Sequence, residues 1–225
     1  MKKVKNMQKI YSSPKTKYVW QFDRLNLTYF EIPKTGSSST KTVLFRLNYE
    51  LTEDQELNIG GGQLARNFPG SIVKSFNSTD FLDQILIIYR DPIARVKSAY
   101  RSIFLGRQKL CGSLSEYFDK HFNIFIESDA ENGLLNHHKP MSWFFPKELI
   151  DDSRSNFIRT SKLNSLPTLL DLEIMNIESD KPAMPHLLNV NKKIGEIDMT
   201  DSEIRIALGP EFDDDFTLFE KFESK

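Results

Sequence analysis

Apolar residues in this chain gather in short continuous runs. Each run is closed by a small polar stretch or a proline and is followed by apolar positions at helical spacing. The first run, 25–32, reads LNLTYFEI and stops at Pro33. Residues 34–40, Lys-Thr-Gly-Ser-Ser-Ser-Thr, follow, and then Leu44, Leu47 and Leu51 recur at i, i+3 and i+7. That is a buried strand, a tight turn and a helix. A second run, Ile85-Leu86-Ile87-Ile88-Tyr89, has the unbroken apolar character of a strand covered on both faces of a parallel sheet. It ends at Arg90-Asp91-Pro92, where Asp serves as a helix cap and Pro as a first helical residue. Ile93, Val96, Tyr100, Ile103 and Phe104 mark the core stripe of the helix that follows. Residues 71–76 read as a further short strand, and Leu114, Tyr117 and Phe118 as one face of an amphipathic helix that carries His121. Repeated strand–turn–helix units predict an α/β fold with a central parallel β-sheet flanked by helices. At 225 residues the chain is expected to form one domain, 25–225, behind a basic N-terminal arm, 1–24.

The first turn carries chemistry. A strand entering a helix through a short loop points backbone N–H groups and the positive end of the helix dipole at one spot, which favours an anion. Gly36 allows close approach of the backbone, the hydroxyls add donors, and Lys34 adds a full charge. The stretch reads as a phosphate cradle. It is not a GxxxxGK[ST] loop: there is one Gly, and the Lys precedes it. Gly60-Gly61-Gly62 is a loop signal and lacks the GxGxxG spacing of a dinucleotide fingerprint.

The order Pro33-Lys34-Thr35-Gly36-Ser37-Ser38-Ser39 resembles the 5′-phosphosulfate loop of sulfotransferases that use 3′-phosphoadenosine 5′-phosphosulfate (PAPS). Residues 90–100, RDPIARVKSAY, closely match the 3′-phosphate motif R-D-P-x-x-R-x-x-S-x-Y of the same enzymes. Arg90 stands at a strand's carboxyl end, where ligands bind in open α/β sheets, and Ser98 lies on the following helix. A guanidinium and a hydroxyl so placed suit a phosphate monoester. The chain resembles the carbohydrate, Golgi-type sulfotransferases that include chondroitin 4-O- and heparan 2-O-sulfotransferases. Asn136-His137-His138-Lys139-Pro140 is similar to a His-Trp-x-Pro segment of part of that family, with His138 in place of Trp. Residues 157–159 with Leu163 and 169–172 are similar to its later strand and helix, 184–192 to its Pro-His-x-Asn region, and 211–219 to its terminal acidic-aromatic helix.

This resemblance implies a P-loop-like sulfotransferase fold. It implies sulfuryl transfer from PAPS to an acceptor hydroxyl, on a carbohydrate or a small molecule, leaving 3′-phosphoadenosine 5′-phosphate (PAP), with no metal required. Lys34 is then the catalytic lysine. Thr35, Gly36, Ser37, Ser38 and Ser39 hold the 5′ end, and Arg90 and Ser98 the 3′-phosphate. The heparan 2-O type places His residues between its two cofactor motifs, whereas the four histidines here, His121, His137, His138 and His186, all follow Arg90. His137 is the expected general base and His138 the second choice, a His titrating near neutrality being the usual agent. Glu53 and Asp80 are carboxylate alternatives. Arg101, Arg107, Lys109, Lys139 and Lys147 form either an acceptor patch or scattered surface charge. Two other readings stay open: a P-loop-type nucleotide or small-molecule kinase, and a non-catalytic PAPS- or glycan-binding module.

Composition narrows the partners. Net charge is −1, so nucleic acid is not expected. The charge is uneven: residues 1–24 carry seven Lys or Arg and one Asp, while 196–225 carry ten Asp or Glu and three Lys or Arg. One cysteine, Cys111, excludes an internal disulfide and a Cys-based zinc site. No stretch is as long and apolar as a transmembrane helix, and no apolar segment follows the N-terminal lysines, so a cytoplasmic protein is expected.

Overall fold

The computed structural model describes residues 19–52, 60–73, 81–102, 111–127, 135–166 and 197–224. Four strands form one sheet in the order β1 (Val19–Phe22), β2 (Leu27–Phe30), β3 (Gln84–Tyr89), β4 (Ser155–Arg159). β2, β3 and β4 run parallel, with Tyr29 opposite Leu86 and Leu86 opposite Asn156. The expected parallel sheet flanked by helices is present. It also has an antiparallel edge, because β1 returns directly into β2. A single 3₁₀ turn, Asp23–Leu25, and Asn26 in the left-handed region (φ 49°) make that return. The sheet therefore begins inside the segment assigned by charge to the arm. Trp20 and Phe22 are fully buried, so these residues belong to the core despite their basic neighbours. Of the expected strand at 71–76, residues 74–76 lie outside the described residues, and Ile72 makes an isolated bridge with Trp20.

Period-two alternation sorts the strands' side chains to two faces. Ile85, Ile87 and Tyr89 join Val19 and Phe30 against Met141, Phe144, Phe145, Leu149 and Leu218. Leu86 and Ile88 join Trp20, Phe22, Leu27 and Tyr29 against Leu44, Phe45, Leu64 and Leu163 on the other face. This double burial is why β3 reads as a continuous apolar run. Helix α1 (Ser37–Tyr49) covers the second face, with α2 (Gly61–Asn67) beside it. Helix α3 (Pro92–Tyr100) leaves β3, and its start follows from the cap: Asp91 accepts from the Ala94 amide at 2.6 Å, with Pro92 at the first position. α4 (Leu114–Tyr117) and α5 (Asn123–Glu127) are joined by a wider π-type turn, Phe118–Phe122, which carries His121. α6 (Asp201–Leu208) begins with a capping box between Thr200 and Glu203, and α7 (Asp213–Glu223) ends the described chain. A third apolar cluster unites α3, α4, α6 and α7 through Val96, Tyr100, Leu114, Tyr117, Ile204, Leu208 and Phe216. Among the described residues no helix is long and apolar enough to cross a membrane.

Candidate active site

The site lies where three parallel strands end. β2 leads through Ile32 and Pro33 into the cradle, β3 ends at Arg90, and β4 ends at Thr160. Lys34 takes a left-handed backbone (φ 68°), and Gly36 does so at φ 88° as the N-cap of α1. Two left-handed residues so close together curl the chain tightly enough to bring it from strand to helix in a few residues. A Cβ on Gly36 would stand 2.5 Å from Leu163 Cδ1, so the end of that side chain would have to move to admit it.

Side chains stitch the cradle together. The Thr35 hydroxyl donates to the Ile32 carbonyl at 2.9 Å and is fully buried, so it shapes the turn from below. The Gly36 carbonyl accepts from both the amide (3.0 Å) and the hydroxyl (3.1 Å) of Thr40. The Thr160 hydroxyl lies 3.1 Å from the Thr35 carbonyl and 3.0 Å from that of Tyr89, and so joins all three strand ends. Ser37 and Ser38 are half-buried and Ser39 is buried in the first turn of α1. No acidic residue stands in that turn, so its amides and dipole retain their attraction for an anion.

Cations gather above the turn. Arg90, half-buried, donates from Nη1 to the Lys34 carbonyl at 3.1 Å. Burial lowers its pKa, Asp91 opposes that shift, and the nearby charge of Arg101 adds to it. Two guanidiniums that repel each other beside a lysine form a pocket of positive potential. The Lys34 ammonium donates to the Ser102 hydroxyl, which in turn donates to the Ala99 carbonyl at 3.3 Å. Ser98 sits half-buried on α3, one turn before Ser102.

His137 and His138 close the site from the segment 135–138. His137 is half-buried, whereas His138 is only 1% exposed and shares a 2.6 Å hydrogen bond between Nδ1 and the Tyr117 hydroxyl. Burial holds the His138 pKa well below 6.5, and His137, Arg95 and Lys34 push it further down. Lys34 is near enough to His138 for its charge to be felt there. Glu53, Asp80, Arg107, Lys109 and His186 with the region 184–192 lie outside the described residues. Lys139 is buried, donating to the Ile126 carbonyl and lying 4.9 Å from the Trp143 ring centre, so it is not part of an exposed acceptor patch. Lys147 pairs with Asp214 on the surface.

Several residues that build the site carry no motif of their own for sequence reasoning to find. Ser102 and Thr160 are isolated hydroxyls whose role comes from a long-range approach. Arg95 and Asp215 did leave a signal. Arg95 falls among the buried positions Pro92, Val96 and Ala99, and Asp215 falls between Phe212 and Phe216, so both are charges on apolar helix faces.

A lysine, a hydroxyl-lined turn and a guanidinium meet at the carboxyl ends of parallel strands, the place where ligands bind in open α/β sheets. The model of the Sulfotransferase family matches residues 17–220, and the chain belongs to that family. No curated protein and no solved structure matches it. Sulfuryl transfer is thus the class of reaction, and the assignment replaces the kinase reading.

Proposed function

We propose that the protein moves a sulfuryl group from PAPS to a hydroxyl on a carbohydrate or small-molecule acceptor, in the manner of the carbohydrate sulfotransferases. The observation that carries this reading is the Arg90–Lys34 contact, which brings the two sequence motifs within hydrogen-bond distance of each other. The residues fit a nucleotide with phosphate at both ends. The first turn of α1 has no competing carboxylate, and Arg90 is half-buried with the charge of a second guanidinium, Arg101, nearby. Thr35–Ser39 and Lys34 would hold the 5′ side, and Arg90 and Ser98 the 3′-phosphate. PAPS supplies a sulfuryl group activated by attachment to phosphate.

Lys34 and the α1 amides stabilise negative charge at the leaving phosphate. Preorganised electrostatics of this kind usually dominates such transfers. His137 is the base in this reading, because it is half-buried and reachable, while His138 is enclosed. His138, neutral through its depressed pKa, backs His137 without adding charge.

The test is calorimetric titration with PAP, ATP and 5′-AMP. Tight binding of PAP, with none for 5′-AMP, is expected. Preference for ATP with Mg²⁺ would overturn the donor assignment. PAP binding without transfer to any of a broad panel of sugars and small alcohols would favour the non-catalytic module.

A further inference from the structure

Arg95 is fully buried at the start of α3, next to the site and unused by the chemistry above. Its Nε donates to the carbonyl of Pro33 at 2.9 Å, and its Nη1 to the carbonyl of Lys139 at 2.6 Å. Pro33 immediately precedes Lys34, and Lys139 immediately follows His138. Phe144 lies under the guanidinium, with its ring centre 5.7 Å from Cζ. Asp215, also fully buried, reaches in from α7 and accepts from the amides of Met141 at 2.6 Å and Ser142 at 2.8 Å.

We infer that Arg95 is a positioning residue: one planar guanidinium bridges the Pro33 and Lys139 carbonyls, so the cradle and the histidine segment are held as a single unit, while Asp215 holds the adjoining amides at 141 and 142. The inference rests on the reading that Lys34 and the histidine segment serve the transfer. The physical case begins with cost. A buried guanidinium and a buried carboxylate are expensive, and apolar residues of similar volume often give equal or greater stability. Burial pushes Arg95 down to about 10, with Asp215 opposing that shift. Burial also raises the pKa of Asp215, with Arg95 and the two amides opposing that rise. What apolar residues cannot supply is direction. Guanidinium donors sit in a rigid fork, so two carbonyls bound to it have a set separation and angle. A lysine keeps the charge and loses the fork. Asp215 extends the same unit two residues further, to the amides at 141 and 142, so that α7 also reports on the position of the cradle.

The experiment compares wild type with Arg95→Lys and Asp215→Asn. Amide hydrogen exchange is read by mass spectrometry in peptides covering 33–40, 139–143 and 84–89, and PAP binding is measured by calorimetry. Exchange at 33–40 and 139–143 should accelerate together by about tenfold in both variants while 84–89 stays unchanged. PAP affinity should fall by about tenfold in Arg95→Lys. Acceleration equally at 84–89, loosening of one segment without the other, or loosening of both with PAP affinity unchanged would overturn the inference. If Arg95→Lys does not fold, Asp215→Asn alone decides the exchange comparison. Failure of wild type to bind PAP would overturn the donor reading instead, and exchange would still decide whether the two segments are coupled.

Discussion

Arg90 donates from its guanidinium to the backbone carbonyl of Lys34 at 3.1 Å, across 56 residues of chain. The contact leaves the Lys34 side chain to Ser102 and ties the turn after β2 to the end of β3. A charged donor spent on a neutral carbonyl is a strong hydrogen bond, of about 1.5–3 kcal/mol. Arg101 is close enough for its charge to act on the Arg90 guanidinium.

Lys34→Ala should therefore reduce sulfuryl transfer by roughly 10²–10³, the usual effect of removing one preorganised electrostatic group. PAP binding should fall less. Arg90→Ala should do the reverse, weakening PAP by about ten- to hundredfold through loss of a charged contact. Steady-state kinetics beside calorimetry separates the two, and unchanged turnover in Lys34→Ala would remove Lys34 from the chemistry.

His137→Gln should lower kcat by about 10²–10⁴, the range for a general base, with PAP affinity intact. The same kcat in both proteins would move the base elsewhere.

Gly36→Ala should destabilise the fold. The left-handed backbone alone costs an alanine about 1–2 kcal/mol. The new Cβ would also stand 2.5 Å from Leu163 Cδ1, so that side chain, packed beside Thr160, must move. Since Thr160 holds the Thr35 carbonyl, PAP affinity should drop with stability. Thermal unfolding and calorimetry on the one variant check both effects.

Acid should destabilise the protein through His138. Its folded pKa lies well below 6.5, so beneath about pH 6.5 the unfolded chain takes up a proton that the folded chain refuses. Its contribution is complete above that pH and falls as pH drops, by at most about 1.4 kcal/mol per pH unit. Asp215 has the opposite sign, since its raised folded pKa makes stability fall as pH rises above its ordinary 3.8. His138→Gln should flatten the decline between about pH 6.5 and 5 while leaving the Asp215 effect in place. Urea midpoints across that range would show it, and an unchanged slope would mean that another group carries the acid sensitivity.

Lys41 and Glu31 form an ion pair at 2.6 Å with side chains 5% and 15% exposed, and Trp20 Nε1 donates to the same carboxylate at 2.9 Å. Breaking a buried pair from one side strands the other charge. Lys41→Met should thus cost about 3–5 kcal/mol, and Lys41→Met with Glu31→Gln should recover much of it. Denaturant unfolding of the single and double variants tests that pattern.

Much of this architecture is legible in the chain because its signals are local. The apolar run at 85–89 reads as a doubly covered strand, and β3 is buried from Ile85 onward. Asp91 and Pro92 announce α3, and the Asp91 cap is made within three residues. Lys34, Gly36, Arg90 and Ser98 stand out because motif spacing is a property of sequence. β1 was hidden by composition: Val19–Phe22 follows a lysine-rich stretch, and only pairing with β2 reveals that it belongs to the sheet.

By itself the sequence determined the two strand–turn–helix units that carry Lys34 and Arg90 and the residue types at their turns, since period, caps and turn chemistry act over a few residues. Tertiary structure alone decided which charges are buried and what they hold. Lys139, predicted as patch or surface, is enclosed. Arg95 joins the Pro33 and Lys139 carbonyls, Asp215 the amides at 141 and 142, Ser102 meets the Lys34 ammonium, and Thr160 meets the Thr35 and Tyr89 carbonyls. Such roles depend on which carbonyl or amide arrives within about 3 Å, and that is set by how whole elements pack rather than by neighbours along the chain.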